Sequence, residues 1–281
     1  MDKHSDQPQY GLKDLLYLMQ RLRKPDSGCP WDIAQNYRTI APSTIEEAYE
    51  VVDAIERDDY LHLKEELGDL LFQVVFYSQL GEEDGYFDFY DIIDALTEKL
   101  LRRHPHVFPL GTLASERDQS SLSEVEKVKE LWEKIKAEER EKKGNAGIVD
   151  DVPVALPSLQ RAQKLQKRVA KAGMDFRSLD AVLEKIVEEA EELKDAVRTS
   201  DDAHIEDELG DVLFCCVNLA RHLRVDADTA LRKANTKFES RIRNMEVLLS
   251  ERGLDWKQCD DNALDELWVA AKVELGKQSS S

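Results

Sequence analysis

Glu46-Glu47-Ala48-Tyr49-Glu50 and Glu66-Leu67-Gly68-Asp69-Leu70-Leu71-Phe72 are each written a second time in this chain, as Glu188-Glu189-Ala190-Glu191-Glu192 and Glu208-Leu209-Gly210-Asp211-Val212-Leu213-Phe214. Both second writings fall 142 residues after the first. Self-similarity at a fixed offset marks a duplication and has to be read before any single element. Two further matches keep the order: Lys99 and Arg103 with Lys237 and Arg241, then Trp132 and Lys136 with Trp268 and Lys272. Residues 143–153 between the copies carry Gly, Asn and Pro without sustained periodicity, as linkers do. The expected organisation is a domain over 1–142, a linker over 143–153, a second domain over 154–275 and a disordered polar tail over 276–281.

Around the repeated pieces apolar residues recur at helical spacing, as in Leu183, Ile186, Ala190, Leu193 and Val197, then Leu209, Val212, Leu213, Cys216, Ala220 and Leu223. Each copy reads as about five helices: 10–23, 43–56, 60–81, 89–103 and 122–141, then 157–171, 178–198, 202–222, 226–251 and 262–274. Ser43 with Glu46 has the capping-box pattern and is expected to start the second helix. A stretch from His104 to Ser121 reads as irregular and mobile. The fold class is all-α, two tandem helical bundles, with pairing across a dimer as an extension of the same packing.

Composition supports this organisation. At about 150 residues per domain, 281 residues suggest two units. Aromatics are only 7%, and 12 Gly and 8 Pro are too few for a turn-rich sandwich or barrel. The formal net charge of −19 repels nucleic acid, so any phosphate-bearing partner must be met by a local basic cluster or a bound cation. No apolar run approaches the roughly 20 residues of a membrane span, and the first residues lack a signal-peptide core, so the expected location is cytoplasmic. Cys29, Cys215, Cys216 and Cys259 form no CxxC pair and read as buried thiols.

The repeated acids carry the chemistry. Lys185, Glu189 and Glu192 fall within a narrow arc of one helix, flanking its apolar stripe, and His204, Glu208 and Asp211 share an arc of the next. Two antiparallel helices packed on those faces bring four carboxylates together. Two like charges about 5 Å apart at an effective dielectric near 20 repel by roughly 3 kcal/mol, so a cation or bound protons must compensate. An all-oxygen ligand set suits Mg²⁺ or Mn²⁺ better than zinc, and magnesium usually recruits substrate phosphates. Alone, an EExxE in so acidic a chain is a solvated helix face; its repetition with ExxD at one separation, amid rewritten neighbours, is harder to ascribe to packing. Gly68 and Gly210, costly inside a helix, suggest close approach of a neighbouring backbone.

Lys237 and Arg241 stand i, i+4 and aim two cations at one object, and Trp268 with Lys272 puts an aromatic face one turn from a cation. That pairing suits a nucleobase and its phosphates, or equally a Trp anchoring the last helix to its core. His104 and His106 read as hydrogen-bonded loop histidines, for want of a Cys/His set beside them.

Gly28-Cys29-Pro30-Trp31-Asp32, the EExxE and ExxD elements of both copies, and Arg102-Arg103-His104-Pro105-His106-Val107-Phe108 together resemble, over nearly the whole chain, the MazG family of nucleoside triphosphate pyrophosphohydrolases in its two-domain form. The resemblance implies hydrolysis of an NTP or dNTP between the α and β phosphates, with magnesium as cofactor. It implies Glu189, Glu192, Glu208 and Asp211 as metal ligands, one of them helping to deprotonate the attacking water. Lys185, Lys237 and Arg241 would then neutralise the triphosphate, and Trp268 would contact the nucleotide. A homodimer is implied as well. Where family members often carry Lys, this chain has His204, with His62 in the other copy.

The copies differ. The position of Lys185 is Ser43 in the first copy, and the stripe of Ile45, Ala48, Val52 and Ile55 sets Glu47 and Glu50 farther from the apolar face. Catalysis is therefore expected in the second copy, with Glu47, Glu50, Glu66 and Asp69 as a second site of structural, regulatory or weak catalytic role. Two rivals stay open on sequence: a ferritin-like di-iron bundle, which needs ExxH elements that are missing here, and a non-catalytic helical interaction protein.

Overall fold

The computed structural model describes residues 10–116, 125–142 and 147–278. Residues 117–121 of the stretch expected to be irregular, 143–146 of the expected linker and 279–281 of the expected tail lie outside them. The chain divides into two compact units, Met1–Lys136 and Ala137–Ser281. Among the described residues every regular element is a helix.

The first unit runs α1 (Leu12–Leu22), α2 (Pro30–Ala34), α3 (Tyr37–Glu56), α4 (Tyr60–Glu83) and α5 (Phe89–Arg103), and α6 (Val125–Lys142) spans the division. The second unit runs α7 (Ser158–Lys171), α8 (Leu179–Thr199), α9 (Asp202–His222), α10 (Ala227–Arg252), a 3-10 turn at Trp256–Gln258, and α11 (Asp261–Gln278). Helix α11 thus continues through the first residues of the expected tail.

Two expectations about the first copy are corrected. Ser43 caps nothing: α3 begins two turns earlier, and Asn36 is its cap, accepting from the Arg38 and Thr39 amides at 2.9 and 3.2 Å while its own amide donates to Thr39 Oγ1 at 2.8 Å. Pro42 lies inside this helix, early enough that only the first turns feel its missing donor. The short helix α2, opened by Pro30 at its first position, carries no amphipathic period and was not expected.

Each unit is built on an antiparallel hairpin of two long helices, α3 with α4 and α8 with α9, which form the most extensive contacts of their units. The turns correspond residue for residue. Asp58 (φ 56°) and Ser200 (φ 58°) take the left-handed conformation at the same repeat position, and Asp59 and Asp201, the next residues, cap the following helix. In the first unit α1 packs on α4 over Met19, Ile40, Val75, Phe76 and Leu80. In the second α7 packs on α9, and α10 on α11 over Met245, Leu249, Leu267 and Ala271.

No disulfide links the described cysteines, but only Cys215 is buried; Cys29 and Cys259 are half-buried, and Cys216 is exposed together with Leu209 and Leu213 of the same α9 stripe. No helix among the described residues is long and apolar enough to cross a membrane.

Candidate metal centre

The hairpin register assembles the carboxylates. Glu192 and Glu208 stand eight residues either side of Ser200, and Glu189 and Asp211 eleven. Residues equidistant from the turn of an antiparallel pair face each other across it, and steps of three keep both members on one face. Asp58 stands at the same distances from Glu50 and Glu66, and from Glu47 and Asp69. One ligand atom each from Glu189, Glu208 and Asp211 lies within 4.8 Å of the others, and Glu47, Glu66 and Asp69 form the same group in the first unit.

The donor set fits a small hard cation. Oxygens on opposite sides of Mg²⁺ at about 2.1 Å are about 4.2 Å apart, within the span of these clusters. Glu189 is buried, and Glu208 Oε2 is buried without a hydrogen-bond partner, an acceptor that a cation would satisfy. The Glu192 carboxyl is held above the usual carboxylate range, first by burial and then by the negative charges of Glu189 and Glu208. Glu47 and Glu66 are raised too, burial again the largest cause. Protons therefore compete with a cation for these oxygens.

The cations expected around the site are placed unequally. Lys185 Nζ lies 2.7 Å from Glu189 Oε1 and 2.8 Å from Glu188 Oε1, and these hydrogen bonds, that to Glu188 the larger, raise its pKa. Lys185 thus starts as a partner of a candidate ligand, and Ser43, at its place in the first copy, supplies no such charge. His204 Nδ1 is 3.7 Å from Glu208 Oε1, whereas His62 Nε2 is 2.6 Å from Glu66 Oε1. The first copy's cluster forms regardless of its weaker stripe: Glu47 is half-buried where Glu189 is buried.

Arg241, Lys272 and Trp268 form a group of their own between α10 and α11. The Arg241 guanidinium is 5.2 Å and Lys272 Nζ 5.4 Å from the indole centroid, with the Phe238 ring at 5.7 Å. The indole thus carries two cations, and it also packs on the Leu267 core. Lys237 is exposed. Among the described residues no hydrogen bond or ion pair joins these side chains to the carboxylates. In the first unit Trp132 meets the His104 ring at 5.1 Å, and His104 Nδ1 bonds the Leu100 carbonyl at 2.7 Å.

Close backbone approach does not explain the helical glycines. A Cβ at Gly68 or Gly210 would meet nothing within 4 Å. Gly210 instead borders an open hollow beside His204 and Asp211. The sequence reading also missed a polar cluster at the far end of α9, where Arg221 donates to Asp175, His222 Nε2 lies 3.2 Å from Asp175 Oδ1, and the Asp175 carboxyl is pulled below its usual range chiefly by Arg221. Its one signal in the sequence is divergence: these residues have no equivalents in the first copy.

Among the described residues, twin all-oxygen clusters on helix hairpins define an all-helical protein of the bundle class with two candidate carboxylate sites for a metal ion. The chain belongs to the MazG nucleotide pyrophosphohydrolase family, whose domain matches residues 35–108 and 177–245. It is 49% identical over 260 residues to the nucleoside triphosphate pyrophosphohydrolase of Escherichia coli K12, covering 92% of this chain and 95% of that protein. It is 41% identical, over the same shares, to the nucleoside triphosphate pyrophosphohydrolase/pyrophosphatase MazG of Thermotoga maritima. A Mycolicibacterium smegmatis nucleoside triphosphate pyrophosphohydrolase is 37% identical over 64% of this chain and 52% of its own.

Proposed function

We propose that the chain is a Mg²⁺-dependent nucleoside triphosphate pyrophosphohydrolase whose turnover takes place in the α8–α9 hairpin, with Mn²⁺ as the alternative ion. The observation that carries this reading is the convergence of Glu189, Glu208 and Asp211 around an unpartnered buried oxygen of Glu208. Family membership and the names of the relatives support the reaction: water attacks the α phosphorus, its bond to the α–β bridging oxygen breaks, and a nucleoside monophosphate and pyrophosphate leave. When bound, the cation offsets charge on the phosphate oxygens and acidifies water.

The protein's own groups do the rest. Glu189, Glu208 and Asp211 would hold the ion, with Glu192 next along α8, and one of these carboxylates would accept the water's proton. Lys185, paired with Glu189 and Glu188, would lie within side-chain reach of a triphosphate held at the cluster, and His204, when protonated, Lys237 and Arg241 would add positive charge. Trp268 serves the nucleotide by steadying Arg241. Glu47, Glu50, Glu66 and Asp69 form a second, structural or regulatory site. With free thiols at every described cysteine, the composition suits the reducing cytoplasm.

Incubation of the full chain with Mg²⁺ and each NTP in turn is expected to yield monophosphate and pyrophosphate in equal amounts. Release of orthophosphate alone, or no turnover with any NTP, would refute the reading.

We also propose a homodimer. Leu67, Leu71, Leu209 and Leu213 are exposed on α4 and α9 beside the open Gly68 and Gly210, apolar surface in contiguous helix stripes that an isolated chain leaves in water. Sedimentation is expected to show twice the 32.2 kDa chain mass, and a monomer at micromolar concentration would count against it.

A further inference from the structure

The layer of the α8–α9 hairpin next to Glu189 and Asp211 sets a lysine opposite a thiol. Lys185 and Cys215 each stand fifteen residues from Ser200, four beyond Glu189 and Asp211, so they face each other one turn along the same side of the hairpin. In the first unit the residues fifteen from Asp58 are Ser43 and Gln73. The register holds at the following turn of that hairpin, where Ile40 and Phe76, each eighteen from Asp58, share one core cluster.

The two pairs are alike in size pattern and opposite in direction. Each sets one long side chain against one short one, but the long one is Gln73 of α4 in the first unit and Lys185 of α8 in the second. Helices packed with their axes about 8–10 Å apart leave little room for two long side chains in one layer, so large stands against small. Gln73 is 7% and Cys215 8% exposed, so this position is closed to water in both hairpins. The Lys185 side chain is only 32% exposed although its Nζ reaches Glu188 and Glu189. A lysine covers its stem in this way by laying it along apolar surface while the charged head stays among polar groups. Burial holds the Cys215 thiol above its usual range, with the Glu189 charge adding to the effect and the Lys185 charge opposing it, so the sulfur sits in the field of both. It is a small, neutral, apolar group at the foot of the lysine.

We infer that Cys215 is a positioning residue for the reaction: its small side chain leaves the space in which the Lys185 stem lies, and so keeps Nζ at Glu189. The thiol itself does no chemistry. The facing pair, and not the lysine alone, distinguishes the two hairpins. The inference rests on the reading of Lys185 as a cation that serves the triphosphate.

The test is a double-mutant cycle in the full chain. Cys215→Gln writes the first copy's residue opposite Lys185 and is expected to lower kcat/KM for NTP hydrolysis by about tenfold or more, whereas Cys215→Ala and Cys215→Ser, both small, retain turnover. Lys185→Ser removes the cation. Adding Cys215→Gln to it is expected to lower activity no further, because a residue that acts through Lys185 then has nothing to act on. Unfolding gives a readout independent of turnover. The denaturant midpoint of the second unit should fall in Cys215→Gln and return toward the parent's when Lys185→Ser is added, which completes the first copy's pair. Three results would each overturn the inference: an equal loss of rate from Cys215→Gln with and without Lys185; a loss in Cys215→Ala and Cys215→Ser as large as in Cys215→Gln; or a midpoint that Cys215→Gln leaves unchanged or Lys185→Ser does not recover. Should Cys215→Gln fail to fold, Cys215→Val, a smaller intrusion, carries the same cycle. A parent chain that releases no pyrophosphate from any NTP would instead sink the catalytic reading, and a recovered midpoint would still show that Cys215 seats Lys185.

Discussion

Asp211→Asn is expected to lower pyrophosphate release by about 10³-fold or more, while Asp69→Asn, the same change in the first copy, leaves most of the activity in place. The two substitutions are matched in geometry, since each removes one charge from a three-carboxylate group on a helix hairpin. They differ in surroundings. Glu189 has Lys185 at 2.7 Å, the cation proposed to reach a triphosphate, whereas the first copy has Ser43 there. Steady-state rates with Mg²⁺ and unchanged circular dichroism check the prediction, and equal losses in both variants would place turnover in both copies. The same rates carry a pH signature. The Glu192 carboxyl titrates above its ordinary value, so lowering the pH through that raised range returns protons to the cluster before ordinary carboxylates are affected. Activity should fall on that acidic limb, and higher Mg²⁺ should move the limb to lower pH.

Phe76→Ala should destabilise the first unit by about 3–5 kcal/mol, the range for emptying the site of a large buried aromatic. The ring is 1% exposed, meets Phe72 edge-on at 5.9 Å, and supports the Arg23 guanidinium, whose partners Glu83, Asp32 and Gln35 join the end of α4 to the loop around α2. Two compact units allow two unfolding transitions, so denaturant curves of the full chain should be read by two probes. The transition that carries the first unit is expected to move to lower denaturant and the other to hold. Loss of under 1 kcal/mol would show that Arg23 and the neighbouring aromatics collapse into the space.

The elements read from the sequence are those with long amphipathic periods. Helices α4, α5, α8 and α9 begin and end within a few residues of expectation, because Asp59, Asp88, Ser178 and Asp201 cap them by local rules. Helix α3 started earlier than its pattern suggested because the signal at Ser43 was local chemistry without a local partner, whereas Asn36 and Thr39 close a reciprocal cap. Helix α2 spans five residues, too few to show a period.

The candidate carboxylate site was legible for a stronger reason. The distances of its carboxylates from Asp58 and Ser200 are sequence quantities, and an antiparallel hairpin turns equal distances into facing positions. Its Lys185 partner was legible as an i, i+4 neighbour of Glu189. By contrast the group formed by Arg241, Lys272 and Trp268, and the open space at Gly210, depend on how α10 meets α11 and on what stands opposite α9, which no local pattern states.

From its residues alone this chain determines a duplicated all-α protein with four acids at matching positions on each of two hairpins, three of which converge in each, since repeat offset, helical period and turn position are all properties of the linear order. Only the tertiary structure decided which oxygens and nitrogens go without partners. Glu208 Oε2, Gln166 Oε1 and Arg221 Nε are orphaned by the packing of α7, α8 and α9 together, and satisfaction of a buried polar atom depends on every neighbour in space.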